Sequence, residues 1–491
     1  PINSKDLFTI ANQIGFCNEG KQVRDEAVDD RKDDQYSLCR QEPVSMGEYV
    51  ISPSNQASQE TLPLVAKTSL SPHVIEDYKG TGTILGSMFT LTNTILGSGT
   101  LAVPFAIASS GWFAGLSVMI IIALITRYSV YLLMQASDAA GNSAAKTYES
   151  LGHYTMGKYG TYLAEFTFIF GGFGSLTSYF IFITDLCSVQ FSISPSKRSL
   201  VTLFFTFFIV LPLSLSRRLA KLRISSILAT FAVGYVVCLF LVVFIVVSSS
   251  SSFVPVQVPA VNITSGSVYT ITLLIQAFAC HNTALPVYEE LQDRSISRMN
   301  RAVVGAISLA FVLYSIIGFC GVFTFGSNTM DNVLLNFNPE FLENYPLIKS
   351  PLWFGRLCMG IALLFCAPIA MWPFRSCVLS VLLRVYHGKQ VPSSAASTLV
   401  YRSTTLGLII LILIAALFVP SVKIPLSIVG SVAGSLIIFI MPSLFYILQQ
   451  TDRPFLSFSN FGPLIMLITG IFVGVLCFSM TMYKLKREYF P

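Results

Sequence analysis

Asn93-Thr94-Ile95-Leu96-Gly97-Ser98-Gly99-Thr100-Leu101-Ala102-Val103-Pro104 lies in the middle of the apolar run Gly82–Ser109. A span that only anchors a protein is continuous. This one places two glycines and a serine at mid-membrane depth, with a proline following. Glycine weakens helix propagation and proline removes a backbone donor. Backbone groups freed in hydrocarbon are costly unless they line a cavity or meet a ligand. A second interruption, Gln276-Ala277-Phe278-Ala279-Cys280-His281-Asn282-Thr283-Ala284-Leu285-Pro286, breaks the apolar run Val268–Val287. Gly-x-Gly is also what a close helix–helix contact requires, and for the first run alone both readings stand. Interruptions in the first member of each of two five-span halves favour a site built on inverted repeats. In such a site, half-helix N-termini offer N–H groups to a carboxylate, and unwound carbonyls meet an ammonium or a cation.

The remaining sequence supplies the spans. Of 491 residues, 53% are hydrophobic and 11% charged, and the mean hydropathy is +0.67. That excludes one large soluble core. Runs of about 20 apolar residues, enough for a ~30 Å hydrocarbon core, recur at Gly82–Ser109, Trp112–Gln135, Tyr162–Leu186, Leu200–Leu215, Ile224–Val247 and Val268–Val287. They continue at Val303–Phe325, Leu352–Leu383, Thr404–Val419, Ile424–Leu448 and Phe461–Met482. The eighth is expected to end or bend early. The expected fold is an all-α polytopic membrane protein of about eleven transmembrane helices. Residues 81–250 form one half, 251–266 an outer loop, 267–450 the second half, and 451–491 a last span with a short basic tail.

Residues 1–80 are polar and carry a mixed charge block, Glu26 to Asp34. They read as a disordered cytosolic tail, free to order on a regulatory partner. Pro1 stands where an initiator Met would, so the natural N-terminus is expected to lie further upstream, and no signal peptide is visible. With a cytosolic N-terminus, inner loops collect Lys146, Lys158, Arg217, Arg218, Lys221, Arg223, Arg294, Arg298, Arg301, Arg384, Lys389, Arg402 and Arg453. The outer loops hold few basic residues, as the positive-inside rule requires. The uncharged loop Ser248–Gly266 bears the glycosylation sequon Asn262-Ile263-Thr264, usable only on an outer or luminal face. An odd span count then puts Lys484, Lys486 and Arg487 outside, against the rule. The net charge of +6 comes from such loops and is no nucleic-acid footprint. The ten cysteines show no metal-ligand spacing.

The residues Asn93 to Ala106 with Gly111 resemble the first-helix signature of the amino acid/auxin permease family, which includes the sodium-coupled neutral amino acid transporters. Cys280-His281, Leu285 to Ser295, and Pro368 with Pro373-Phe374-Arg375-Ser376 are further matches. The resemblance runs from about residue 82 to the end. It implies a LeuT-like 5+5 inverted repeat plus one C-terminal helix, alternating access, and a small neutral or cationic amino acid as substrate. In sodium-dependent relatives an asparagine of helix one and a threonine of helix eight help to hold the ion. Asn93 matches the first, but Cys366 falls where the threonine is expected. A thiol is a poor ligand for a hard cation. Na⁺ coupling, H⁺ coupling and uncoupled transport therefore all stand, and no other cofactor is implied.

The expected substrate contacts are Asn93, Thr94, Ile95, Gly97, Ser98 and Gly99 at the first break, and Phe278, Cys280, His281 and Asn282 at the second. The resemblance adds Ser178 and Tyr179 on the third span. His281 has two open readings, a proton carrier or a neutral imidazole capping the broken helix. Arg127 is expected to snorkel, and Glu165 and Asp185 to be interfacial. Glu289, Glu290 and Arg294 read as an inner-gate ion-pair network. No nucleophile–base pair or phosphate loop argues for an enzyme. The rival to a transporter is a membrane receptor that signals amino acid occupancy through its tail. A plasma membrane and a vacuolar or lysosomal membrane both suit the topology.

Overall fold

A backbone crossing hydrocarbon must satisfy its own hydrogen bonds, and this chain does so with helices. The computed structural model describes residues 80–97, 99–141, 147–194, 197–215, 223–250, 257–388, 396–450 and 457–489. Ser98, Lys146, Arg217, Arg218, Lys221, Lys389, Arg453 and the tail before residue 80 lie outside the described residues. The helices are α1 (Ile84–Ile95), α2 (Gly99–Ser110), α3 (Trp112–Ala140), α4 (Tyr148–Met156), α5 (Lys158–Gln190), α6 (Arg198–Ser214) and α7 (Arg223–Ser248). Then come α8 (Ser267–Ala277), α9 (His281–Glu290), α10 (Ile296–Phe325), α11 (Pro339–Asn344), α12 (Pro346–His387), α13 (Thr398–Phe418), α14 (Lys423–Gln449) and α15 (Phe461–Tyr489). Among the described residues there is no strand, only an isolated bridge between Gly82 and Leu291.

Nine spans among the described residues are long and apolar enough to cross a membrane, with α8 and α9 together making one of them. The first expected span is divided: α1 and α2 meet at a 60° bend and make a tenth crossing if taken together. The fourth expected span, α6, is apolar but short, reaching about 25 Å at ~1.5 Å per residue. The eighth expected run does not end early. Instead α12 runs 42 residues through Pro351, Pro368 and Pro373. It packs along α5 and α7.

The broken helices occupy the centre, with α2 against α8 and α10 against α1, α2 and α7. Helix α14 reaches this centre through two π-helical stretches, Gly430–Gly434 and Leu436–Ile440. At Gly430 the backbone lies directly on the Thr272 carbonyl of α8, so closely that a Cβ would overlap it.

The two faces differ in how they are closed. On one, the carbonyls of Pro259 and Ala260 accept the free N–H groups of Trp112 and Phe113 at 3.2 and 3.0 Å, capping the start of α3. Asn262 is exposed on this loop, and its N–H donates to the Ser110 carbonyl at 2.7 Å. Lys484 near the end of α15 lies beside Gly266 of the same loop. The basic C-terminal turn is thus on the sequon face. On the opposite face, Gly82 N–H donates to the Glu290 carbonyl at 2.8 Å, and Gln292 N–H to the Gly82 carbonyl at 2.9 Å.

Glu165 and Asp185 depart from their expected interfacial setting. They are 4% and 8% exposed, and each meets a guanidinium, Arg384 for Glu165 and Arg198 for Asp185. Burial of a carboxylate requires such a partner. Arg127 is exposed on α3.

The Gly430 contact is testable. Gly430→Ala should destabilise the detergent-solubilised protein by about 1–3 kcal/mol through overpacking, read as a fall in thermal midpoint. Gly407→Ala on α13, where a Cβ meets nothing within 4 Å, should leave the midpoint unchanged or raise it.

Candidate substrate site at the two helix breaks

Each break frees backbone groups that helix continuation would have paired, and the site grows from where they go. At the end of α1, the Ile95 carbonyl accepts the Gly97 N–H at 2.8 Å and the Tyr314 hydroxyl at 2.5 Å. The same hydroxyl lies 3.2 Å from the Ala277 carbonyl, the last of α8. One side chain of α10, fully buried, therefore bridges both breaks. The breaks also touch directly, because a Cβ on Gly99 would fall 2.9 Å from Ala277 Cα. Glycine is required there for space. Phe278, the residue after α8, is buried and stacks edge-on against the Tyr314 ring at 5.3 Å.

The other expected residues separate into groups. Asn93 is half-buried and its Oδ1 accepts from the Thr230 hydroxyl of α7 at 3.2 Å. Thr94 Oγ1 donates to the Thr90 carbonyl and lies 3.1 Å from the Thr283 hydroxyl of α9. Tyr179 of α5 extends to the first break, its hydroxyl oxygen 3.1 Å from where a Gly97 Cβ would be. Ser178 is buried and donates to Gly174 of its own helix at 2.9 Å. Gln276 of α8 donates to Ser175 of α5 at 3.2 Å. Asn93, Thr94, Ile95, Gly97, Gly99, Tyr179 and Phe278 thus gather around the breaks, while Ser98 lies outside the described residues.

His281 points elsewhere. Its Nε2 is 2.8 Å from Ser129 Oγ on α3, and Ser129 in turn donates to the Ile438 carbonyl of α14. With the serine proton committed to that carbonyl, the proton on the ring belongs to Nε2, which donates. Nδ1 meets no hydrogen-bond partner among the described residues. His281 does not cap α9 with its side chain, and neither does the buried Cys280 before it. Asn282 is exposed. Cys366 of α12 packs with Ala229 and Ala232 of α7, on the same helix that carries Thr230.

At the face of Gly82, Arg294 joins Glu289 at 2.6 Å and Asp138 of α3 at 3.0 Å. The Tyr288 hydroxyl donates to both Asp138 oxygens at 2.9 and 2.8 Å. The Glu290 side chain is exposed and joins no ion pair among the described residues; its backbone carbonyl holds Gly82 instead. Tyr314, Thr230 and Asp138 were not among the sequence candidates. Tyr314 and Thr230 sit in apolar runs as ordinary span residues, and Asp138 ends a helix remote in sequence from Arg294. Only the tertiary fold brings them in.

The profile of the family described as transmembrane amino acid transporter protein matches residues 80–486. The sodium-coupled neutral amino acid symporter 2 of Danio rerio is 26% identical over 426 residues, 79% of each chain. Among solved structures, the chain is similar to Mhp1, a nucleobase-cation-symport-1 family transporter, at 12% identity, covering 83% of this chain and 94% of that one with a TM-score of 0.53. A manganese transporter of Eremococcus coleocola is similar at 14% identity, with 85% and 92% covered and a TM-score of 0.52. These likenesses extend to the fold, a LeuT-like arrangement of membrane helices. The chain belongs to the transmembrane amino acid transporter family.

Proposed function

We propose that this protein is a secondary transporter that moves small neutral amino acids across a membrane by alternating access around the paired breaks. The observation that carries the reading is the Tyr314 bridge, which holds two interrupted helices together at one point. There the start of α2 offers N–H groups to a substrate carboxylate, and the Ala277 carbonyl at the end of α8 keeps a lone pair beyond its Tyr314 bond for an ammonium. Ile95, Phe278 and Tyr179 give the neighbouring wall an apolar character suited to neutral side chains. The receptor alternative has no support from the family or from the sodium-coupled relative, which are transporters.

For the coupling ion we favour Na⁺. Asn93 Oδ1 and the Thr230 hydroxyl are oxygen donors 3.2 Å apart, and oxygen is what a hard cation prefers. Thr230 of α7 takes the part that Cys366 of α12 cannot. The sodium-coupled symporter of Danio rerio supports the same choice. His281 serves as a positioning residue, tying α9 to α3 and α14 through Ser129. Arg294, Glu289 and Asp138 form the inner gate, with Gly82 and the tail on the cytosolic side and Asn262 outside, available for glycosylation. The first helix starts on one face and α15 ends on the other, so the number of crossings is odd. That parity makes α6 a crossing and brings the count to eleven. The protein resides in the plasma membrane or a vacuolar or lysosomal membrane.

Uptake of a panel of labelled amino acids into proteoliposomes, in sodium, in choline and across pH, tests the whole reading. Small neutral substrates should accumulate in sodium and not in choline; binding without uptake would instead indicate a receptor. Thr230→Val should raise the half-saturating sodium concentration about tenfold, the effect of losing one charge-assisted contact, and an unchanged sodium affinity would remove Thr230 from the ion site. Tyr314→Phe leaves the Ala277 carbonyl without its donor, so it should lower the thermal midpoint by the equivalent of about 1–3 kcal/mol and reduce uptake more than surface expression. His281→Ala should slow uptake while the pH profile of the residual activity stays parallel to the wild type. A displaced profile would make His281 a proton carrier after all.

A further inference from the structure

Above the breaks, on the Asn262 face, lies a cluster of charges that the site does not use. Lys423 Nζ, at the start of α14, is 3.1 Å from Glu488 Oε2 near the end of α15, and Lys484 Nζ is 3.8 Å from Glu488 Oε1. Both ammonium groups sit over the same ring: Lys484 is 4.5 Å and Lys423 5.5 Å from the centre of Tyr269 on α8. Lys423 is also 5.9 Å from the Phe105 ring on α2. The backbone of Lys423 is fixed as well, its N–H donating to Asp331 Oδ2 at 3.0 Å, where a carboxylate complements a helix N-terminus.

The charges and the rings belong to different sets of elements. Phe105 and Tyr269, 5.9 Å apart, ride on the two half-helices that lead from the breaks to this face. Thr270 ties these half-helices together by donating to the Ala106 carbonyl at 2.6 Å. The lysines ride on α14 and α15. The two ammoniums share the single Glu488 carboxylate as ion-pair partner, and the ring faces add a second attraction for both. The side chains of Lys423 and Lys484 are only 20% and 22% exposed, so water does little to replace those contacts.

We propose that the last turn of α15 is an outer latch, in which Glu488 holds Lys423 and Lys484 over Tyr269 and Phe105 and so shuts the mouth on the Asn262 face. The inference rests on the alternating-access reading. Loading from this face requires α2 and α8 to move relative to α14, and that movement breaks the ammonium–ring contacts. The latch also explains why basic residues of the C-terminal turn are on the side that the positive-inside rule disfavours: they pack against the mouth.

Two measurements test it in proteoliposomes. In an Ala102→Cys protein, the new thiol lies on α2 between the break and Phe105, at a position 1% exposed; its labelling by an impermeant reagent from the Asn262 side is followed by peptide mass spectrometry. Adding Glu488→Gln, or Lys484→Met, which keeps the apolar stem, should each speed labelling about fivefold, equivalent to ~1 kcal/mol in the closed–open equilibrium. Separately, Tyr269→Cys/Lys484→Cys bridged by a bifunctional thiosulfonate should lose uptake, and a reductant should restore it. Unchanged labelling in both variants, or full uptake by the bridged protein, overturns the latch. If the wild type shows no uptake of any amino acid while Glu488→Gln still exposes Cys at position 102, the transport reading fails and the latch stands as the closure of a binding site.

Discussion

One hydroxyl proton shared between two carbonyls organises the centre of this protein. The Tyr314 hydroxyl meets the carbonyl that ends α1 and the carbonyl that ends α8, the two places where the helical ladder stops. In hydrocarbon each unpaired carbonyl costs several kcal/mol, so an interrupted span persists only if something supplies a donor. Here one donor serves both interruptions. The breaks are thereby obliged to stay together, and α10 moves with them or the bond is lost. The Gly99–Ala277 contact adds a steric condition to the electrostatic one, since no side chain fits between the two backbones.

From that centre the half-helices lead outward in pairs, and each pair is closed by different chemistry. Helices α1 and α9 end near Arg294, where guanidinium, carboxylates and the Tyr288 hydroxyl interlock. Helices α2 and α8 end beneath two ammonium groups on aromatic faces. A guanidinium fork makes several directed bonds at fixed angles, whereas an ammonium over a ring is held without strict direction. The Arg294 end is the more specified of the two in geometry.

The sequence made the first break legible because glycine acts locally, at Gly97 and Gly99; Pro104 and Pro286, which pointed to the same regions, lie inside α2 and α9. The sequon loop and the run of spans were legible for the same reason, being set by composition over a single window. The unbroken path of α12 was not, because whether a helix continues through its prolines depends on what packs along it, and here that is α5 and α7. Burial of Glu165 and Asp185 was equally invisible, since Arg384 and Arg198 had to be found across the fold. His281 stood out as an intramembrane ionisable group, yet its direction toward Ser129 and Ile438 is a fact of packing between α3, α9 and α14. Residue type identified it; only the tertiary arrangement gives it a partner.

Thr230 illustrates the same divide at the level of an ion site. Matching positions on the first and eighth spans leads to Cys366, and a thiol there argues against sodium. In the folded protein the hydroxyl beside Asn93 comes from α7, a helix that the span-by-span comparison never consults. A ligand set is defined by which oxygens converge, and in the proposed site the hydroxyl that α12 lacks is supplied by α7, which packs beside it. The exchange also frees Cys366 to act as what its neighbours Ala229 and Ala232 make it, a small apolar side chain in a helix interface. Loss of a hydroxyl at one expected position is therefore no measure of the site's capacity for a hard cation; the measure is the oxygen set that surrounds Asn93.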